Sequence, residues 1–450
     1  MRCRSLGFLA VSLVAVFAAS LAVPSFVFGQ GGIAVDADGV LKLKATDQSG
    51  QLTKQQIAAA KASLNTEAAK RSNLRCVSLN RLEQFIRDHQ NTVTDEARYL
   101  AGLLRVHYVF FYPESGDIVL AGPAEGWRTD SAGRVVGIQS GRPVIQLQDL
   151  CVALRSFPSG GEPMKLIGCS IDPTQEGLAA MQRFLRSHGS GAMPGDTQYI
   201  VQSLQTSLGL QTVTVNGVSP KTHFAQVMVE ADYRMKLIGI GLERPPVKLV
   251  SWVARATPGQ VARNALVRWF FTPDYQCVRT SDDGLAMQLV GDGVKVVGED
   301  ELVANNGQRR DNGSGDHASQ EFVASFTKVY SELADKSPVF AELRNLIDLS
   351  VVAAYLQHEN LYVKSGLKMD VLGDEKAISV EIFNAPKQVA SAVNAIWRGH
   401  QLLTPIGGGV EINALMALAP EKRLPDKDDK VAKLRKQMKL ELAKGRWWWD

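Results

Sequence analysis

Residues 106–127, VHYVFFYPESGDIVLAGPAEGW, decide the fold that the sequence predicts. Val106–Tyr112 is almost entirely β-branched or aromatic, which is typical of a strand. Pro113–Gly116 contains residues that favour a turn, and Asp117–Ala121 resumes the strand pattern. The stretch therefore predicts an antiparallel hairpin in the core of an N-terminal domain. Within this hydrophobic strand we expect His107 to be a neutral, packed imidazole and not a catalytic base.

The loop after the hairpin, Gly122–Trp127, places a carboxylate beside an indole ring. Glu125 and Trp127 are therefore candidate binding residues. The alternative is that this loop forms only a tight corner with both side chains buried.

The beginning of the chain is typical of an exported protein. Arg2 and Arg4 precede a long apolar run that ends in small residues near Gly29, which predicts a cleaved signal peptide over residues 1–29 and a secreted or periplasmic protein. The run is also long enough to span a bilayer, so an uncleaved N-terminal anchor is the alternative. No later stretch is long and apolar enough to predict a transmembrane segment.

Charge is distributed unevenly along the chain. Without the signal peptide, 48 basic residues face 46 acidic ones, and residues 421–450 alone carry a net charge of +4, so residues 30–420 carry about −2. A nearly neutral body argues against binding to nucleic acid, which needs a basic face.

Four cysteines remain after the predicted cleavage, and an even number in an exported chain suggests disulfide bonds. Seventeen residues separate Cys151 from Cys169, which makes this pair the candidate disulfide. Free buried thiols are the alternative, because cysteine is also a common core residue.

Helical and strand patterns mix without a regular alternation, which favours an α+β fold with mixed antiparallel sheets and packed helices over a doubly wound sheet. The polar segment 187–195 predicts a boundary between two domains. The predicted order is a signal peptide at 1–29, a helical arm at 30–72, an N-terminal α+β domain at 73–190, a C-terminal α+β domain at 196–420 and a basic amphipathic tail at 421–450. Among the predicted elements are the helices Leu52–Lys70, Thr94–Leu104 and Lys387–Trp397, the strand within Asp370–Phe383, and one antiparallel sheet of Arg268–Thr272, Gln276–Thr280, Ala286–Val290 and Val294–Gly298.

The tail combines an apolar helical stripe with lysines and ends in Trp447, Trp448 and Trp449 followed by Asp450. Indoles beside basic residues suit a membrane surface, a cell-wall polymer or a groove on an envelope protein. The alternative is that the helix packs on the body of the protein itself and the tryptophans cover an apolar patch.

No motif for a nucleotide, a metal or a cofactor is present, and none of the common hydrolase signatures occurs. A non-catalytic binding or structural component of the envelope is therefore the predicted function. The alternative is an envelope hydrolase that uses carboxylates from separate segments, for which the candidates are Glu114, Asp117, Glu125 and Asp172. A pair of carboxyl groups within about 5–10 Å in one cleft would identify such a site.

Several blocks of the chain are similar to an uncharacterised family of secreted bacterial proteins, a domain of unknown function. The resemblance rests on VHYVFFYPESGDIVLAGPAEGW, SGRPVIQLQDL, CSIDPTQEGL, VMVEADYRMKLIGIGLE and PVFAELRNLIDLS, between about Cys76 and Ala354. It implies an exported protein and no particular catalytic residue.

Overall fold

A computed structural model describes residues 27–28, 32–44, 51–188, 193–256, 265–303, 309–314, 317–394, 406–438 and 445–450. The helices are α1 (Gln51–Ser63), α2 (Leu79–Asp88), α3 (Asp95–Arg98), α4 (Leu147–Ser156), α5 (Gln175–His188), α6 (Thr197–Leu208), α7 (His223–Gly239), α8 (Trp252–Arg255), α9 (His317–Lys328), α10 (Tyr330–Lys336), α11 (Pro338–His358), α12 (Leu361–Ser365) and α13 (Lys430–Gln437). Short 3-10 helices cover Leu100–Gly102, Pro194–Asp196, Ala414–Leu418 and Lys427–Asp429.

The strands are β1 (Val27–Phe28), β2 (Ile33–Val35), β3 (Val40–Leu43), β4 (Ser72–Ser78), β5 (Tyr108–Tyr112), β6 (Asp117–Ala124), β7 (Trp127–Thr129), β8 (Val135–Gly137), β9 (Ile167–Asp172), β10 (Leu210–Asn216), β11 (Glu243–Arg244), β12 (Ala265–Pro273), β13 (Val278–Thr280), β14 (Ala286–Leu289), β15 (Val294–Val303), β16 (Arg309–Ser314), β17 (Gln388–Ala390), β18 (Ile406–Ile412), β19 (Leu424–Pro425) and β20 (Trp448–Trp449). Most of the predicted signal peptide lies outside the described residues. Within them, none of the helices combines the length and the apolar character needed to cross a bilayer.

The predicted hairpin lies at the centre of a seven-stranded sheet with the order β19-β13-β14-β5-β6-β4-β20. Strands β5 and β6 pair antiparallel, with Phe110 opposite Val119. Gly116 closes the turn between them at a φ of +72°, a conformation that favours glycine. The hairpin prediction is therefore confirmed, with the strand beginning at Tyr108.

The second sheet has nine strands in the order β16-β15-β12-β18-β9-β10-β17-β3-β2. Antiparallel pairs dominate, although β12 and β18 pair in parallel, and helices cover the sheets, so the α+β prediction is confirmed. Both sheets take strands from each side of the segment 187–195, so the two halves of the chain share them. The predicted arm at 30–72 is only partly helical, because it also contributes β2 and β3 to this sheet.

Several predicted elements are wrong in type or extent. The four strands expected in one sheet are divided, since β12 and β15 belong to the nine-stranded sheet while β13 and β14 belong to the seven-stranded one. Gln388–Ala390, expected within a helix, pairs with β10 as a strand, and residues 370–383 form turns instead of a strand. The helix expected from Leu52 ends at Ser63, and only Asp95–Arg98 of the expected Thr94–Leu104 helix is α-helical. In each case, local propensity is overridden by pairing or packing with distant residues.

Helix α11 is the centre of the fold. Every residue from Val339 to Leu356 is buried, and the helix packs against α4, α7 and α10. Pro338 lies in its first turn, where the missing N–H costs nothing. A helix buried on every side is a core helix, so the charged residues that α11 carries need partners inside the protein or in a bound ligand.

Candidate anion-binding site

A small cavity lies where the start of the hairpin meets α10 and α11, and we call it the cationic pocket. Its volume is about 150 Å³. Its lining consists of Leu104, Arg105, His107, Pro123, Arg142, Pro143, Ser331, Asp335, Ala341 and Arg344. A water molecule takes about 30 Å³ of liquid volume, so the pocket has room for a compact chemical group and not for a whole drug-sized ligand.

Arg344 on α11 is the unusual residue of this pocket. It is only 6% exposed, yet it forms no ion pair within the described residues, and its buried Nε has no hydrogen-bond partner there. Burial and the nearby positive charge of Arg105 lower the pKa of Arg344 below its ordinary value, and the negative charges of Asp348 and Asp335 offset this shift only in part. An arginine remains protonated at neutral pH even so, because its ordinary pKa is above 12. A buried cation without a counterion is costly, which makes this position a place where an anion would be stabilised.

Arg105, in contrast, is held firmly in place. Its Nε donates to Asp348 Oδ2 at 2.6 Å, and its Nη2 donates to the carbonyl of Gly291 at 3.1 Å and to Asp348 Oδ1 at 3.4 Å. Burial would lower the pKa of Arg105, but the charge of Asp348 outweighs it and raises the pKa. These bonds use Nε and Nη2, so the guanidinium is fixed in position with Nη1 outside them.

The mouth of the pocket is formed by an exposed ion pair. Arg142 Nη2 lies 2.8 Å from Asp335 Oδ1, and both side chains are about two-fifths exposed. Ser331, one helical turn before Asp335 on α10, adds a hydroxyl group to the lining. The lining therefore combines this exposed pair with the buried guanidinium group of Arg344 and the partly buried one of Arg105.

His107 lines the same pocket, so the expectation of a residue packed within the core is only partly right. The side chain is half-buried, and the backbone N–H donates to the carbonyl of Ala121 at 2.8 Å, which keeps the residue in the sheet. Burial lowers the pKa of His107, and the charges of the neighbouring arginines lower it further. The imidazole is therefore neutral at pH 7 and can donate one hydrogen bond to a bound group.

The lining of the pocket contains the guanidinium groups of Arg105, Arg142 and Arg344 and the carboxylate of Asp335, while Asp348 and Asp292 act on Arg105 from outside the lining. Arginine donors in a fixed fork match the oxygens of carboxylate, phosphate or sulfate. This arrangement can bind a compact anion, with a serine hydroxyl and a neutral histidine as further hydrogen-bonding groups.

A second group of buried charges lies nearby and is fully paired. Arg134 forms ion pairs with Glu230, at 2.5 Å, and with Glu342 on α11. Arg234 lies 3.4 Å from Glu230 and 3.3 Å from Glu243. Because each of these charges has an opposite partner, this network links β8, α7 and α11 structurally and differs from Arg344.

The predicted binding residues of the hairpin loop have separate roles. Glu125 is 1% exposed and accepts hydrogen bonds from the backbone N–H groups of Gln139 and Ser140 and from the hydroxyl of Ser140, at 2.7–3.2 Å. It therefore fixes a corner, as the alternative prediction had it. Trp127 is 5% exposed and lies 5.8 Å from Tyr99 between ring centroids, at the edge of a larger groove.

The tryptophan tail packs on the protein itself. Trp447, Trp448 and Trp449 are each at most 7% exposed, and β20 pairs antiparallel with β4. Asp450 accepts two hydrogen bonds from the buried Arg75, at 2.8 and 2.9 Å. Helix α13 packs against the seven-stranded sheet as well, which agrees with the packing alternative for the tail.

The predicted disulfide is wrong. Cys151 lies in α4, Cys169 lies in β9, and both are free and buried, as are Cys76 and Cys277. Burial raises the pKa of the Cys151 thiol to about 12. The thiols are therefore core residues, which was the alternative.

The carboxylates proposed for a hydrolase occupy different surroundings. Asp117 pairs with Arg81 at 2.9 Å and accepts from Ser78, and Asp172 lies 3.3 Å from Arg268 in the other sheet. Asp117 and Glu125 are eight residues apart along β6 and its extension, which corresponds to roughly 26 Å at about 3.3 Å per residue. Glu114 lies exposed in the hairpin turn.

Sequence reasoning missed Arg105, Arg142, Asp335 and Arg344. The signal that could have found Arg344 is its position in LRNLID, a charged residue inside a long and mostly apolar helix. The pocket itself depends on three distant segments, which no local pattern reveals.

The fold and the pocket together define an α+β protein with a small cationic cavity beside its central helix. Residues 169–252 match the model of a family described as protein of unknown function (DUF1598), which confirms the resemblance to an uncharacterised family. The matched segment contains α7, while the residues of the cationic pocket lie outside it. Neither a curated protein nor a solved structure matches the chain.

Proposed function

We propose that this protein is an exported, non-catalytic binding component of the bacterial cell envelope, and that the cationic pocket binds a compact anionic group of its ligand. The observation that carries the proposal is Arg344, a buried guanidinium that forms no ion pair among the described residues and that lines this cavity. Charges of this kind are rarely kept in a core unless they bind something.

The hydrolase alternative is the weaker proposal. Asp117, Glu125 and Asp172 are engaged in separate ion pairs or hydrogen bonds, and the distance along the strand separates Asp117 from Glu125 by more than a glycosidase uses. No observation favours it over binding.

Sulfate is the best first probe, because it keeps its charge over the whole pH range of interest. Titration of the protein with sodium sulfate at constant ionic strength, followed by calorimetry, should show one site. Hydrogen bonds to a charged group contribute about 1.5–3 kcal/mol, so Arg344→Met should weaken binding by roughly 10- to 100-fold. Arg183→Met, which removes an exposed arginine from α5, is the control of equal charge and should bind as the wild type does.

His107 gives a second, independent measurement. A bound anion offsets the arginine charges that lower the pKa of His107, so sulfate should raise this pKa in an NMR titration. By linkage, sulfate should then bind more tightly as the pH falls through the pKa of His107 in the complex. Wild-type affinity in Arg344→Met, together with an unchanged His107 pKa, would contradict an anion site in this pocket.

Export is tested on the full chain expressed in a bacterium with an envelope. We expect the protein outside the cytoplasm, with an N-terminus near residue 30 by mass spectrometry. A membrane-bound chain that keeps residues 1–29 would favour the uncleaved anchor instead.

A further inference from the structure

Two larger cavities lie beside the cationic pocket. A groove of about 460 Å³, which we call the outer groove, runs between α1, α3 and β7. A second cavity of about 410 Å³, the middle groove, adjoins it. Arg128 lines both grooves, and Asp335 lines both the middle groove and the cationic pocket, so each cavity is a neighbour of the next.

The strand register gives the distance along this path. Arg128 on β7 is opposite Val136 on β8, and Val136 forms a β-bridge with Pro143, which lines the cationic pocket beside Arg142. Neighbouring strands are about 4.8 Å apart, so Arg128 lies roughly 10 Å from the pocket wall at Pro143. A ligand of a few linked rings can reach from one to the other.

The outer groove offers unused hydrogen-bonding groups of both kinds. Nε and Nη1 of Arg128 are buried donors, and Oε1 of Gln56 is a buried acceptor, all three without a partner among the described residues. Asn65, Thr94 and Thr129 add side chains that can donate and accept. Hydroxyl groups, which also donate and accept, match such a lining, and a carboxylate matches Arg128.

Four carboxylates lie along the same path, namely Asp95, Glu96, Asp130 and Asp335. A ligand with a phosphate at every unit would be repelled by them, whereas sugar hydroxyls can donate hydrogen bonds to them. The body of the protein is also not basic, in contrast to nucleic-acid binders.

We infer that the ligand is an acidic glycan, a chain of sugars carrying carboxylates, which lies along the outer and middle grooves and places one carboxylate in the cationic pocket. The inference rests on the proposed function, because the pocket must bind an anion for the glycan to be anchored there. A second carboxylate or a cluster of hydroxyls contacts Arg128.

The test compares glucuronic acid, a hyaluronan oligomer of six units, in which glucuronate alternates with an uncharged sugar, and an uncharged chitin oligomer, all titrated against the whole protein at constant ionic strength. The charged oligomer should bind at least about tenfold more tightly than the monomer, because it adds contacts in the grooves that are worth one or more hydrogen bonds. The uncharged oligomer should bind more weakly than the charged one.

Variants separate the two steps of the argument. Arg128→Gln should reduce the affinity for the oligomer to nearly that for the monomer and leave sulfate binding unchanged, while Arg344→Met should weaken all anionic ligands. Gln56→Ala, at a partly exposed site, provides a second groove variant if Arg128→Gln fails to fold, and it should also weaken only the oligomer.

The glycan inference would be overturned by equal affinities for monomer and oligomer, or by wild-type oligomer binding in both groove variants. In either case, sulfate binding that depends on Arg344 would still support the proposed function. Sulfate binding that does not depend on Arg344 would overturn the proposed function itself. Tighter binding of polyphosphate or of a single-stranded oligonucleotide than of the hyaluronan oligomer would replace the glycan by a phosphate polymer.

Discussion

The replacement Arg344→Met should make the ligand-free protein more stable. Methionine retains much of the volume of the arginine stem, so most of the packing around α11 is kept. What is lost is a cation that is 6% exposed and has no counterion in the described part of the chain. An ion buried without compensation costs several kcal/mol, and after subtraction of the lost packing we expect the free energy of unfolding to rise by about 1–3 kcal/mol.

The matched comparison is Arg134→Met, which removes an arginine of similar burial that is paired with Glu230 and Glu342. Its loss leaves two carboxylates together without their cation, so we expect a decrease of about 3–5 kcal/mol. Both substitutions replace arginine by methionine, and they should nevertheless shift the free energy of unfolding in opposite directions.

The measurement is urea unfolding followed by tryptophan fluorescence, with and without sulfate. A ligand at 100 times its dissociation constant stabilises the native state by about 2.7 kcal/mol, and this part of the effect should be absent in Arg344→Met. Sulfate also stabilises proteins non-specifically. The stabilisation that sulfate gives to Arg344→Met measures this non-specific contribution. If Arg344→Met lowers stability as Arg134→Met does, the guanidinium is a satisfied structural group and the reasoning about the pocket fails.

Three further predictions concern other parts of the molecule. Removal of residues 445–450 should lower the melting temperature by several degrees, because Arg75 then loses the carboxylate of Asp450. Burial would raise the pKa of Asp450, but Arg75 holds this pKa below its usual value. The stabilisation should therefore be present near neutral pH and be lost as the pH falls through the lowered pKa. His223 should show a pKa above 6.5 in an NMR titration, since the charge of Asp149 at 2.9 Å outweighs the effect of burial. Because the charged form of His223 is the one that Asp149 stabilises, the stability difference between wild type and His223→Gln should be larger at pH 5.5 than at pH 8.5. A thiol reagent at pH 8 should leave Cys151 unmodified in the native protein and modify it in urea; rapid labelling without urea would contradict its burial.

Local features of the fold could be predicted well from the sequence. Helix α2 begins at Leu79 as expected, because Ser78 accepts a hydrogen bond from the backbone N–H of Arg81 and so caps it, and because Leu82 and Ile86 share one buried face. The hairpin was equally clear, since its turn and its strand patterns agree. In both cases, residues close in sequence supply the interactions that decide the structure.

The features that failed depend on distant partners. Gln388–Ala390 has no strong strand pattern and becomes a strand because β10 and β3 are there to pair with it. The site was missed for the same reason. The sequence around Arg344 does not show that Asp348 pairs with the distant Arg105, and so does not show that Arg344 forms no ion pair within the described part of the chain.

The shared sheets have a consequence for how the chain folds. Strands β4, β5 and β6 can pair early because they are close in sequence, but β13 and β14 must then add to one edge and β20 to the other. Such pairings between distant segments are slow to form, and an incomplete sheet exposes strand edges that promote aggregation. Neither half of the chain completes either of the two large sheets without the other, so fragments of this protein should be poorly soluble while the whole chain folds as one cooperative unit.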